Sequence, residues 1–251
     1  MLAMNTTATL SLEQFLAGGF DLRRQLAEHL RLEPAELERR LPLATEALAA
    51  AHPGAFDPEQ AGRFYESEVG DGHLLELAAW HLGSADYSAD TLRLQQHVAR
   101  GQVLDFGGGI GTHALAAAAQ PEVEAVWFVD LNPENRRFVE ARAERFGLSS
   151  KLRCFRDLSA SALPERFDTI VCLDVLEHLP DPAGQLEQFA QRLSAEGMAL
   201  LNWYFFKGFS GEYPFHVDDP QLVERFFRTL QARFLEQFHP YLITTRAYRL
   251  A

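Results

Sequence analysis

Asp105 and Asp130 stand 25 residues apart, each at the end of a short apolar run, and the first leads straight into Phe106-Gly107-Gly108-Gly109-Ile110-Gly111. Four glycines in five positions let a ligand approach the backbone closely, because glycine has no Cβ and tolerates positive φ. The dinucleotide spacing Gly-x-Gly-x-x-Gly fails, since the sixth position counted from Gly107 is Thr112. What fits is Asp-x-Gly-x-Gly-x-Gly. A carboxylate before such a loop disfavours a pyrophosphate and suits a ligand that carries positive charge. Asp130 offers two carboxylate oxygens to two donors. Farther along, His178 and His216 are side chains matched to proton removal near neutrality.

A sheet must hold these groups together. Gln102 to Asp105 reads as a strand that enters the glycine loop, with the alanine-rich segment from Thr112 to Gln120 as the helix behind it. Val126 to Asp130 is apolar up to its terminal acid, as a strand buried on both faces should be. Asn132-Pro133 supplies an N-cap and a proline for the first helical position, and Gly147 closes that helix. Further strands are expected at Leu152 to Phe155, Asp168 to Leu173, and Met198 to Trp203 after a turn at Gly197.

In this joint spacing the chain resembles the class I S-adenosylmethionine-dependent methyltransferases over roughly residues 101–251. The resemblance implies an α/β fold: a doubly wound, mostly parallel seven-stranded Rossmann-like sheet, closed by an antiparallel pair at Phe234 to Phe238 and Leu242 to Tyr248. It implies S-adenosyl-L-methionine as cofactor, held by Asp105, Gly107 and Gly109. Asp130 then accepts both ribose hydroxyls, Leu131 lies against the adenine, and Asp157 accepts from the adenine amino group. Leu158 and Leu173 complete the cofactor-binding set. The stretch Asp174-Val175-Leu176-Glu177-His178-Leu179-Pro180-Asp181-Pro182 looks like the quinone-biosynthesis and related small-molecule branch.

Methyl transfer is an in-line displacement at the sulfonium carbon, and holding the nucleophile about 3 Å away with water excluded supplies much of the rate. A hydroxyl or carbon acid must also lose a proton. His178 is expected to start the helix after the fourth strand, and His216 lies in the loop after the fifth; both sit at carboxyl ends of parallel strands, where such sheets bind ligands. His216 is the preferred base. Its loop carries Tyr204, Phe205, Phe206, Phe209, Tyr213 and Phe215 with Gly208 and Gly211, a composition suited to a lid over an apolar or aromatic acceptor. Glu177 and His178 have no evident third ligand, so no metal is expected.

Composition agrees with a small-molecule enzyme. The chain of 251 residues is 47% hydrophobic, enough for a sizeable core, and no apolar run nears the roughly 20 residues that span a bilayer. No secretory signal is visible at Met1 to Thr9, and Cys154 and Cys172 read as core residues of a protein from the reducing cytosol. The formal charge of −12 argues against a nucleic-acid substrate, as does Asp174-Val175-Leu176-Glu177 where base methyltransferases carry Asn-Pro-Pro-Tyr. The expected partner is a small-molecule acceptor, with a homodimer left open.

Residues 1–98 form a helical extension or cap, ahead of a cofactor-binding domain at 99–251. Helical spacing is expected in Phe15 to Leu30, Pro34 to Ala51 and Ser88 to Val98, with a break at Pro53-Gly54 and a further helical block from Asp57-Pro58 through Trp80. Phe64, Tyr65, Trp80 and His81 are the residues placed to face a ligand. Two alternatives stay open beside methyl transfer: the same fold running another reaction, such as aminopropyl transfer or nicotinamide chemistry, and a non-catalytic partner subunit. Intact Asp105, Gly107, Gly109 and Asp130 count against the last.

Overall fold

The structure, a computed structural model, describes residues 10–51, 62–209, 213–241 and 243–251. The expected features at Met1 to Thr9, Pro53-Gly54, Asp57-Pro58, Gly211 and Leu242 lie outside these.

Seven strands form one sheet: β1 (Gly101–Phe106), β2 (Val123–Val129), β3 (Leu152–Phe155), β4 (Phe167–Cys172), β5 (Leu193–Leu201), β6 (Phe234–Gln237) and β7 (Arg246–Leu250), in the order β3-β2-β1-β4-β5-β7-β6. The first five run parallel, and β7 enters antiparallel between β5 and β6. The order reverses between β1 and β4, so the carboxyl ends of these strands border the crevice where open sheets bind ligands. The doubly wound fold read from the sequence is the one found.

One face of the sheet, with Val103, Phe128 and Val171, packs against α6 (Ala85–Val98), α7 (Thr112–Ala118) and α8 (Pro133–Arg145). The other face, with Leu104, Ile170 and Leu201, packs against α9 (Pro182–Arg192) and α10 (Pro220–Arg233). Residues from the amino-terminal helices share a third buried cluster with Ile110 and Phe138.

Four expectations need correction. The helix foreseen over Phe15 to Leu30 is two, α1 (Leu12–Gly18) and α2 (Leu22–Leu30), because Gly19, Phe20 and Asp21 all take left-handed φ of 57 to 62°. Pro34 to Ala51 likewise divides into α3 (Pro34–Arg40) and α4 (Ala44–Ala51) around a 3₁₀ turn at Leu41–Leu43 that contains Pro42. The fifth strand starts at Leu193, not Met198. A register shift lets Phe167 pair with Leu193 and Thr169 with Met198, so Gly197 falls inside the strand. The helix before β1 begins at Ala85, and another, α5 (Gly72–Gly83), precedes it.

Candidate cofactor and acceptor site

The glycine loop leaves β1 directly after Asp105 and Phe106, and Gly107, Gly109 and Gly111 all have left-handed φ of 56 to 74°. A side chain at Gly107 would lie 2.4 Å from a Val175 methyl group, so both backbone and space require glycine there. The Asp105 carboxylate is buried beneath the loop. It accepts from the amide of Ala114 in the first turn of α7, while its Oδ2 has no hydrogen-bond partner. Burial, reinforced by the charge of Asp130, pushes Asp105 up to about 7.

Asp130 follows β2. Its Oδ2 accepts from the Gly109 amide at 3.0 Å, and its Oδ1 from the Asn132 amide at 2.8 Å and the Asn135 amide group at 3.2 Å. Burial still outweighs these donors and raises the carboxyl to about 6. Asp130 thus ties the ligand-facing loop to the start of α8, with a lone pair of Oδ2 left for another donor. The donor set suits a nucleoside cofactor with a cationic tail: two buried carboxylates, one with an orphaned oxygen, beside a loop with no Cβ.

Leu131 stands at the same strand end, where a side chain added at Gly62 of the amino-terminal segment would meet it at 3.8 Å. Asp157 accepts from the Ser159 amide and is paired with Arg156. Asp157 and Leu158 line an open cleft of about 470 Å³ with Phe106, Gln185 and Arg192. Leu158 packs with the α9 face and Leu173 with the opposite one. The histidines are not part of that cleft.

His178 does not start a helix. Leu176–His178 is a single 3₁₀ turn, Leu179 is extended at φ −87°, ψ 142°, and α9 begins at Pro182. Pro180 explains the break, since a residue before proline is pushed out of the helical region. His178 is half-buried, and its Nδ1 donates to the Phe215 carbonyl at 3.1 Å; His216 Nδ1 donates to the Phe206 carbonyl at 3.1 Å. A carbonyl only accepts, so each imidazole donates from Nδ1; the His216 ring also meets the backbone of Tyr204. Burial depresses both, His178 to about 3 and His216 below its ordinary value.

Their ring centroids are 4.8 Å apart. The loop after β5 makes this meeting through the Val217 amide, which donates to the Glu177 carbonyl at 2.7 Å. Tyr213 stacks on His216 at 5.1 Å and Tyr204 meets its edge at 5.7 Å. Phe205 is not part of a lid, because it turns inward against Phe226 of α10. Glu177, expected to lack a third metal ligand beside His178, gains one in His216: single ligand atoms of the three lie within 4.8 Å of one another. The Glu177 carboxylate is buried with Oε2 unpartnered, and burial pushes it up to about 8.

From the amino-terminal region, Tyr65 reaches this cluster. A π-helical turn at Phe64–Glu68 carries it, and its ring lies 6.0 Å from His178 and 5.0 Å from His73. Phe64 stacks on Phe215 at 5.7 Å, joining cap to loop. Trp80 packs on Tyr87, and His81 hydrogen-bonds Thr112 at 3.3 Å, so both serve helix packing. The sequence reading missed Asn202, just after β5, which donates to Asp174 at 2.9 Å and to the Tyr87 hydroxyl at 2.8 Å. A lone asparagine at a strand end carries no signal that would have found it.

The model of the methyltransferase domain family matches residues 79–243, about two thirds of the chain. The chain belongs to the class I S-adenosylmethionine-dependent methyltransferases. Its cofactor is S-adenosylmethionine. Ubiquinone biosynthesis O-methyltransferases of Psychrobacter arcticus and Psychrobacter cryohalolentis are similar, at 32% identity over 107 residues and 30% over 122. These matches cover 40% of this methyltransferase and 40% of the first relative, and 46% of each for the second, so less than half of the relatives' length is matched. Among solved structures, the PH0226 protein of Pyrococcus horikoshii has a TM-score of 0.53 at 14% identity over 68% of this chain and 92% of its own. Geranyl diphosphate C-methyltransferase of Streptomyces coelicolor has a TM-score of 0.53 at 13% identity, over 72% and 80%. Both likenesses concern the fold. No described helix is long and apolar enough to cross a membrane.

Proposed function

We propose that this methyltransferase moves a methyl group to an oxygen or carbon of a small, apolar or aromatic acceptor, with His216 as general base. The observation that carries the proposal is the seat of His216, whose Nδ1 donates to Phe206 and whose ring is walled by Tyr204, Tyr213 and His178. Bound S-adenosylmethionine supplies an electrophilic methyl on a sulfonium. The free lone pair of Asp130 Oδ2 takes a ribose hydroxyl, Gly107 and Gly109 admit the tail beside Asp105, Leu131 and Asp157 form the adenine end, and Leu158 and Leu173 complete the set from opposite faces of the sheet. His216 then accepts the acceptor's proton at Nε2, while the surrounding rings keep water out. The side chains recorded around His178 and His216 are Tyr65, Glu177, Tyr204 and Tyr213, none of them a cation. That supports an acceptor whose reacting end is uncharged before it loses its proton. Residues 1–98 act as the cap and 99–251 as the cofactor domain, in a cytosolic enzyme without a nucleic-acid substrate.

A second reading has its own observation. Glu177, His178 and His216 could hold a divalent cation that acidifies a bound hydroxyl. Incubation with labelled cofactor and a metabolite extract, with and without EDTA, tests both. A methylated product formed equally in EDTA supports the base; loss of product in EDTA and its return with Mg²⁺ or Zn²⁺ supports the metal.

A further inference from the structure

We propose that Arg142 is a positioning residue for the cofactor loop, coupling the shape of that loop to the seating of α1 and α2. Arg142 lies in the last turn of α8 and is 1% exposed. Its guanidinium lies over the Phe138 ring at 5.5 Å and donates four hydrogen bonds: Nε to Gln25 Oε1 at 2.9 Å, one terminal nitrogen to the Ile110 carbonyl at 2.9 Å, and the other to the carbonyls of Gly19 at 3.0 Å and Phe20 at 3.2 Å. None of these partners is a carboxylate. The charge of Asp21 reaches it without a hydrogen bond, yet a cation buried on carbonyls is costly, and an apolar side chain of similar volume would serve packing alone as well or better. The contacts therefore do something packing does not.

They join a strained piece of backbone to the glycine loop. Gly19, Phe20 and Asp21 are consecutive left-handed residues, two of them not glycine, a conformation that persists only where its surroundings impose it. Ile110 stands between Gly109 and Gly111, which are also left-handed. The Gly109 amide is anchored to Asp130, and Arg142 anchors the Ile110 carbonyl from the other side. The loop is thus held at both flanks, once by the ribose acid and once by the α1–α2 junction through a single guanidinium. Ile110 itself is buried among Leu22, Leu26 and Leu74 of the cap. Arg145, one turn on, also reaches the cap, but its pair with Glu28 at 2.5 Å is exposed and contributes little.

Amide hydrogen exchange of the wild-type protein with and without S-adenosylhomocysteine tests the coupling, together with calorimetric titration of wild type, Arg142→Met, Arg142→Lys and Gln25→Ala. S-adenosylhomocysteine should slow exchange at residues 19–26 of the wild type. Arg142→Met should bind it about tenfold more weakly, within the usual span of a coupling between two sites, and should lose that distant protection. Arg142→Lys, which keeps a donor for one carbonyl, should fall between. Gln25→Ala, which leaves the Ile110 contact intact, should bind within twofold of wild type. A purely structural arginine would lower melting temperature yet leave affinity unchanged in folded protein, and that result overturns the proposal. Unchanged exchange at 19–26 in the wild type overturns it without any variant.

Discussion

His178 and His216 meet edge to face at 4.8 Å, and each donates its Nδ1 proton to a backbone carbonyl of the segment after β5. The segment that brings His216 to the site thereby also fixes the tautomer of both rings. Only one of them is placed to titrate usefully, because His178 is pulled down to about 3 and stays neutral across the working range.

His216→Ala should lower kcat roughly 10²–10⁴-fold with little change in cofactor affinity. The wild-type rate should rise with pH through an inflection below the ordinary histidine value, since burial depresses His216 and only the neutral ring accepts a proton. An inflection near 8 would instead identify Glu177 as the base. A pH–rate profile of wild type and mutant, with His178→Ala alongside, separates these outcomes.

Removing metal should change nothing if His216 acts as a base. Protein dialysed against EDTA should keep its turnover and its affinity for S-adenosylhomocysteine. Lost activity that returns with a divalent cation would assign Glu177, His178 and His216 to a metal.

Stability of the cofactor-free protein should fall between pH 6.5 and 8.5. Asp105 and Glu177 have folded values raised to about 7 and about 8. The folded state therefore holds these protons after the unfolded chain has released them, and rising pH favours unfolding. The depressed histidines act below their ordinary value and do not oppose this window. Melting temperatures at the two pH values should differ by a few degrees, and Glu177→Gln should narrow the gap. An equal gap in the mutant would contradict the assignment.

Gly107→Ala should destabilise the fold by about 1–3 kcal/mol, since alanine must adopt a left-handed φ and its methyl would lie 2.4 Å from Val175. Chemical denaturation measures the loss, and an alanine mutant of wild-type stability would contradict it.

The sheet and the glycine loop were legible because strands buried on both faces read as apolar runs and end where the acids stand. Asp105 and Asp130 needed only that register. The acceptor side was not, because its contacts join distant parts of the chain: Glu177 meets His216 through a loop that folds back after β5, and Tyr65 arrives from the cap on a π turn that no local pattern announces. Arg142 reads in sequence as an ordinary cation of a last helical turn. Its burial follows from the left-handed run at Phe20 and Asp21, residue types that give no warning of that conformation.

Calorimetric titration with S-adenosylhomocysteine, in wild type and Asp130→Ala and against NAD, tests the cofactor site most directly. Wild type should bind one equivalent, the mutant should bind about 2 kcal/mol more weakly for the charge-assisted hydrogen bond lost at Oδ2, and NAD should give no heat. Equal affinity in wild type and mutant, or binding of NAD alone, would contradict the account.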